Sequence, residues 1–216
     1  MKKIIITGAS GMVGGIIVRE ALNSSEIEKV TSIVRKPSGQ KHAKLEEVVH
    51  GDFNDYTKKN SHFKDQDAAY FCIGVYTGAV EDDKFKMITV DFAKSFGDAI
   101  KQNSPQAILC FLSGQGADLK EKSRMSFARY KGMAENYLMS LNLGGLHIFR
   151  PAYIYPVEKR EEPNLAYRTY RKLYPVLKNI MPSSVITSEQ LAKSIFRAGL
   201  NGAEKTILEN EDIKKV

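Results

Sequence analysis

The chain has 216 residues, of which 43% are hydrophobic, so it can bury the core of one domain without a disulfide or a metal ion. Its formal net charge is +7, but lysines and arginines are spread along the chain, so we do not expect nucleic-acid binding. Because no apolar run approaches the ~18 residues of a membrane span or resembles a signal sequence, we expect a cytoplasmic protein without a membrane partner.

Short apolar runs rich in β-branched residues predict six strands, at residues 3–7, 30–34, 47–50, 68–73, 107–113 and 146–150. Helical patterns follow at residues 11–23, 82–102, 123–141 and 188–200. This alternation predicts an α/β fold, a Rossmann-like doubly wound parallel sheet with helices on both faces. We expect a single domain over residues 1–216, in which residues 151–216 contribute a small C-terminal cap on the substrate side.

Three glycines, Gly8, Gly11 and Gly14, stand between the first strand and the first helix, in the segment TGASGMVGG. Glycine is needed where the chain turns tightly and where a backbone approaches a pyrophosphate, and a helix N-terminus attracts anions. Ser10 could add a hydroxyl. A glycine-rich turn without a ligand is the alternative, but the placement favours dinucleotide binding.

The second strand ends in Arg35 and Lys36, where an acid that binds the ribose 2′-hydroxyl of NAD would be expected. A guanidinium matches a phosphate and an acid would repel it, so the pair favours NADP(H) over NAD(H). The alternative is that both cations are simply solvated at the end of a strand.

Two further strand ends carry candidate cofactor contacts. Asp52 follows the third strand and could accept from an adenine amino group, or it could cap the next turn. Gly74 follows the fourth strand and would let the backbone pass along a ribose, although a glycine there could equally be a turn.

Both cysteines lie in apolar runs, Cys72 in AAYFCIG and Cys110 in AILCFLS. This favours buried thiols in a reducing compartment over a disulfide. His42, His50 and His62 have no metal-ligand spacing with either cysteine, so no metal site is predicted.

Taken in chain order, these motifs resemble the atypical short-chain dehydrogenases, in particular the NAD(P)H-binding group that includes the Tat-interacting oxidoreductase-like proteins. The similar segments are TGASGMVG, VRK, GDF, CIG, VDFAK, LSGQGAD, KGMAE and FRPAYIY. With the strand-end contacts above, the resemblance implies the following cofactor-binding residues: Gly8, Ser10, Gly11, Met12, Val13, Gly14, Arg35, Lys36, Asp52, Phe53, Cys72, Ile73, Gly74, Lys131 and Pro151.

In such relatives a serine and a Tyr-x-x-x-Lys pair polarise a carbonyl group. The resemblance aligns Ser113 and Lys131 with the serine and the lysine, and it places Phe127 where the tyrosine would stand. Residues four apart share one face of a helix, whereas Tyr130 precedes Lys131 by one residue and points roughly 100° away. A phenyl ring cannot donate a proton, so acid catalysis by the usual group is not expected.

A tyrosine elsewhere could replace the missing acid, and Tyr153 is our candidate, with Tyr76 and Tyr155 as others; for each, simple packing is the alternative. His147 lies inside the sixth strand and reads as a satisfied core histidine. The leading hypothesis is an NADP(H)-binding oxidoreductase-like protein without the usual catalytic tyrosine, acting on an unknown small molecule as a monomer or homodimer. The alternatives are a non-catalytic NADPH sensor or protein-interaction module, and a flavin or quinone reductase.

Overall fold

The fold is described from a computed structural model, which covers residues 1–158 and 165–216. Within these residues, seven strands form one parallel sheet in the order β3-β2-β1-β4-β5-β6-β9, and two more strands, β7 and β8, pair separately. Their bounds are Lys2–Thr7, Ile27–Val34, Leu45–Val49, Ala68–Phe71, Ile108–Leu112, Gly145–Arg150, Tyr153–Tyr155, Val185–Thr187 and Ile207–Glu209 for β1 to β9. The predicted Rossmann-like sheet is therefore confirmed, with β7, β8 and β9 added to the six predicted strands.

The α-helices α1 to α7 span Met12–Asn23, Asp82–Lys86, Phe92–Asn103, Ser126–Ser140, Leu165–Ile180, Ser188–Asn201 and Asn210–Ile213. A π-helical segment, Met87–Asp91, joins α2 directly to α3, so the helix predicted over residues 82–102 is continuous with one irregular turn. In the described part of the chain, no helix has the length and apolar character needed to cross a membrane.

Both faces of the sheet are covered. Successive residues of β1 point to opposite faces, so Ile4 packs in the apolar layer beneath α1 and α6, and Ile5 packs in the layer beneath α3 and α4. This explains why the strand is apolar without alternation. The helices on both faces are as predicted.

The strand order reverses between β1 and β4. The chain builds β1, β2 and β3 outward to one edge and then crosses back to place β4 on the other side of β1. In open parallel sheets, ligands bind outside the carboxyl ends of the strands at such a switch point. The topology therefore places a ligand site after Thr7 and Phe71.

The C-terminal residues divide between the main layers and the rim of this site. α6 packs against α1, and β9 extends the main sheet by pairing with β6. The β7-β8 pair and α5 lie at the rim. The part of the predicted cap at residues 159–164 lies outside the described residues.

Candidate cofactor and active site

The glycine segment folds into a cradle made of close backbone approaches. Gly8 has φ of +86°, in the left-handed region, and its carbonyl oxygen accepts from the Gly11 N–H at 2.9 Å. A Cβ on Gly14 would lie 2.3 Å from that same oxygen, and a Cβ on Gly8 would lie 2.5 Å from the Cys72 carbonyl carbon. Side chains are thus excluded where the first helix meets β1 and β4.

Helix α1 begins directly after this cradle. Its N-cap residue, Gly11, offers no side-chain cap, and the first turn contains no acidic residue. The N–H groups of a first helical turn have no intrahelical acceptor, and the helix dipole adds partial positive charge there. The cradle therefore fits a pyrophosphate group.

A cavity of about 900 Å³ opens beside the cradle, over the carboxyl ends of β4 and β5. Many residues predicted from the sequence line it together: Gly11, Met12, Val13, Cys72, Ile73, Gly74, Ser113, Lys131, Pro151 and Tyr153. They come from chain segments far apart in sequence, which is what a dinucleotide site at a switch point requires.

Other predicted residues lie outside this cavity. Ser10 is exposed in the turn between Gly8 and Gly11, and Arg35 and Lys36 are exposed just beyond β2, so both cations are accessible to a ligand.

Asp52 and Phe53 follow the third strand. Asp52 Oδ1 accepts from the Asn54 N–H at 3.0 Å, which is the turn-capping arrangement. The Phe53 side chain is buried, with its ring centroid 5.6 Å from that of Phe92. That side chain therefore serves the core, and Asp52 is already engaged in a turn.

Lys131 is held in the cavity wall by α4. It is only 8% exposed, and its Nζ donates to the Leu112 carbonyl oxygen at 2.9 Å. Burial lowers the pKa of Lys131 to about 8, against partial opposition from the Glu135 carboxylate. The same burial raises the pKa of Cys72 to about 12, so its thiol stays protonated near neutral pH.

The aromatic residues around Lys131 take the directions that helix geometry predicts. Phe127 lines the cavity one turn before Lys131, and its ring covers Gly114, where a Cβ would lie 2.6 Å from the ring tip. Tyr130 points away, donating its hydroxyl to Asp82 Oδ2 at 2.5 Å. The residue facing the site at the tyrosine position is therefore a phenylalanine.

Ser113 lines the cavity, but its hydroxyl donates to Glu135. Glu135 is fully buried and accepts from Arg150 Nε at 3.1 Å, and Arg150 Nη1 also donates to Glu209 at 3.0 Å. Hydrogen bonding to Glu135 raises the pKa of Arg150. Because a hydroxyl has one proton, Ser113 in this arrangement can accept from a ligand but not donate to it.

This buried ionic network was not predicted, although its two central members stand in motifs noted above. Glu135 ends KGMAE, and Arg150 lies in FRPAYIY. Glu135 follows Lys131 by four residues, so the sequence could predict that they share a helical face, but it could not predict that Glu135 pairs with Arg150 of β6.

The remaining candidates differ in position. Tyr76 and Tyr153 line the cavity, whereas Tyr155 stacks on Tyr174 of α5 with ring centroids 3.8 Å apart. His147 has contacts at both ring nitrogens: Nδ1 lies 2.9 Å from the Lys205 carbonyl oxygen, and Nε2 accepts from a backbone N–H at 3.0 Å. It is a satisfied histidine, as predicted.

Comparisons with known proteins agree with this geometry. A family described as NAD(P)H-binding matches residues 8–167. Protein HTATIP2 of Rattus norvegicus is 26% identical over 160 residues, which cover 71% of this chain and 63% of that protein. The chain therefore spans less than two thirds of the length of this relative.

Solved structures share the fold at low identity. The Bordetella bronchiseptica enzyme WbmH, in complex with NAD⁺, has a TM-score of 0.71 and 18% identity, over 96% of this chain and 74% of that chain. A Rossmann-fold NAD(P)-binding family protein from Shigella flexneri has a TM-score of 0.65 and 16% identity, over 94% and 89% of the two chains. A UDP-glucose 4-epimerase from Thermotoga maritima has a TM-score of 0.67 and 12% identity, over 91% and 72%. The chain belongs to the NAD(P)H-binding family and has a Rossmann fold.

Proposed function

We propose that the protein is an NADP(H)-dependent oxidoreductase whose hydride transfer does not use the usual tyrosine. The observation that carries this proposal is that Lys131 lines the cavity beside the glycine cradle while Phe127 stands one helical turn before it. A bound nicotinamide supplies or takes up hydride.

The residues around the cavity divide the work of binding. The N-terminus of α1 binds the pyrophosphate, Arg35 and Lys36 bind the 2′-phosphate, and Lys131 Nζ holds the nicotinamide ribose. The Lys131 ammonium group has three N–H donors, of which one is bonded to the Leu112 carbonyl oxygen, so two remain to donate to a ligand.

The proton that a tyrosine would donate comes from Lys131 in this proposal. With a pKa of about 8, Lys131 is largely protonated at neutral pH. Because this pKa lies near neutral pH, the ammonium group can also give up its proton. Tyr153, which lines the same cavity, is the alternative donor. Because its own proton is donated to Glu135, Ser113 can accept a hydrogen bond from the hydroxyl of the reduced product but cannot donate one to the carbonyl oxygen of the substrate.

The cofactor preference is tested by fluorescence titration with NADPH and NADH. Replacing Arg35 and Lys36 by alanine removes two charged contacts to phosphate, so NADPH affinity should fall at least ~tenfold more than NADH affinity. The control is the double substitution of the exposed residues Lys41 and Lys58 by alanine, which removes the same charge. It should change the affinities for NADPH and NADH equally. Equal losses in the first variant would exclude 2′-phosphate recognition.

The chemistry is tested with Phe127→Tyr and 4-nitrobenzaldehyde as the carbonyl probe. Restoring the phenol should raise the rate of NADPH oxidation without changing NADPH affinity, because position 127 then supplies an acid. Tyr153→Phe in the wild-type background should leave turnover intact if Lys131 is the donor. Loss of turnover in Tyr153→Phe would assign the proton to Tyr153 instead.

A second candidate is a non-catalytic NADPH sensor. Two observations favour it: position 127 carries no acid, and the Ser113 hydroxyl donates to Glu135. Helix α5 contacts the rim of the cavity through the stacked rings of Tyr155 and Tyr174. If the protein is a sensor, NADPH should increase the hydrogen-exchange protection of α5. Neither the wild type nor Phe127→Tyr should then oxidise NADPH.

A further inference from the structure

We infer that the substrate of this site is a neutral, largely apolar molecule with a flat ring bearing a reducible carbonyl or quinone group. The inference rests on the proposed function and names its substrate class. It is carried by the side chains on the rim of the cavity, which α5 and the β7-β8 pair contribute.

The lining on this side is apolar and aromatic. Among the lining residues that the structure describes, Lys131 is the only one with a charged side chain. The side chains available to a substrate include Phe127, Ile154, Tyr170, Leu177 and Met181. Such a surface stabilises a ligand by burying apolar area.

The charge distribution disfavours an anionic substrate. The three donors of Lys131 are assigned to the Leu112 carbonyl oxygen, at 2.9 Å, to the cofactor ribose and to the reacting oxygen of the substrate, so none is left for a diphosphate near α5. Arg168, Lys172 and Lys178 of α5 are exposed and do not line the cavity. Arg171 lies over the Tyr155 ring, 6.0 Å from its centroid.

Among the residues that the structure describes, none would therefore offer a cation to a phosphate buried against this lining, and an unpaired buried phosphate carries a large free-energy penalty. The Thermotoga maritima epimerase, a similar fold, was solved with UDP-glucose. The lining of this chain indicates a different class of ligand.

The shape of the lining indicates a ring. Tyr153 and Tyr170 stack with centroids 5.2 Å apart and an interplanar angle of 29°, and both line the cavity. The Phe127 ring, carried by α4, also lines the cavity and lies against Gly114, which follows β5. Aromatic faces bind flat rings by stacking, and Met181 adds an adaptable edge.

The redox step balances with the groups named. The acceptor takes two electrons and one hydrogen as hydride from NADPH, which becomes NADP⁺, and its oxygen takes one proton from Lys131 Nζ, which solvent then restores. A quinone suits a site with Phe127 in place of tyrosine, because the hydroquinone anion is a much weaker base than the alkoxide formed from a simple ketone. It therefore depends less on a strong proton donor at position 127.

The test compares menadione, a neutral flat quinone, with UDP-glucose, by equilibrium dialysis against the protein saturated with NADP⁺. Leu177→Lys places a charge in the lining, and Val176→Lys places the same charge on the adjacent exposed residue, which does not line the cavity. We expect menadione to bind the wild type more tightly than UDP-glucose. Leu177→Lys should weaken menadione at least ~tenfold, while Val176→Lys changes it less than ~twofold.

NADPH affinity is measured in parallel and should be the same in all three proteins. If Leu177→Lys does not fold, Met181→Lys, beyond the end of α5 and 50% exposed, replaces it with the same expectation. Absence of menadione binding, tighter binding of UDP-glucose, or equal effects of the two lysines would overturn the substrate class while NADPH binding persists. Loss of NADPH binding in the wild type would instead overturn the proposed function.

Discussion

Replacing Lys131 by methionine should make the cofactor-free protein respond differently to pH. The pKa of Lys131 is lowered from 10.5 to about 8, chiefly by burial, so the folded protein disfavours the charged form relative to the unfolded chain. A lowered lysine pKa destabilises the fold fully below about pH 8, and the penalty fades as pH rises towards 10.5. Methionine has a similar length and no charge, so the variant lacks this penalty.

The size of the effect follows from the two pKa values. The gap between about 8 and 10.5 corresponds to ~3 kcal/mol of destabilisation at about pH 7, which falls to ~1 kcal/mol at about pH 9.5. The variant also loses the hydrogen bond to the Leu112 carbonyl oxygen, a cost of ~1 to 3 kcal/mol that does not depend on pH. The stability of Lys131→Met relative to wild type should therefore decline by ~2 kcal/mol between the two pH values.

Urea unfolding followed by circular dichroism measures this difference at both pH values. Lys64→Met, at an exposed position, is the control and should differ from wild type by the same amount at each pH. A Lys131→Met difference that is likewise independent of pH would show that Lys131 titrates normally in the fold. Burial would then not lower the pKa of Lys131, and the assignment of Lys131 as proton donor near neutrality would be wrong.

Two further predictions concern the buried network and the cradle. Glu135→Gln leaves Arg150 with a neutral partner in a buried position and should cost ~3 kcal/mol in urea unfolding, whereas Glu209→Gln, on the exposed side of the same guanidinium, should cost at most ~1 kcal/mol. If the two substitutions lowered the free energy of unfolding by similar amounts, Glu135 and Glu209 would be equally buried, contrary to the structure. Gly14→Ala should destabilise by ~1 to 3 kcal/mol, although alanine favours helices, because its Cβ would meet a carbonyl oxygen at 2.3 Å. Gly51→Ala is the control and should not destabilise the protein, because the space around Gly51 is open. If Gly14→Ala were neutral or stabilising, Gly14 would not lie as close to the Gly8 carbonyl oxygen as described.

The order of elements and the cradle could be predicted because their signals are local. Three glycines directly after an apolar strand imply a tight turn and a close helix, whatever the rest of the chain does. The relation between Phe127, Tyr130 and Lys131 was likewise predictable, since helical periodicity alone sets which side chains share a face. The structure adds the partner of the outward one, Asp82.

The pairing of distant residues could not be read in the same way. Glu135 and Arg150 lie 15 residues apart, and Arg150 and Glu209 lie 59 apart, so their contacts depend on the alignment of α4, β6 and β9. The short strands β7, β8 and β9 are three residues each, too short to produce a periodic pattern.

Local sequence thus determined the glycine turn after the first strand and the alternation of strands and helices. It also determined that Phe127 and Lys131 share one face of a helix. Whether Ser113 keeps its proton for a ligand, how deeply Lys131 is buried, and which side chains of α5 meet the cavity all depend on how the layers pack. Backbone preferences act between neighbours in sequence, whereas desolvation and ion pairing act between neighbours in space.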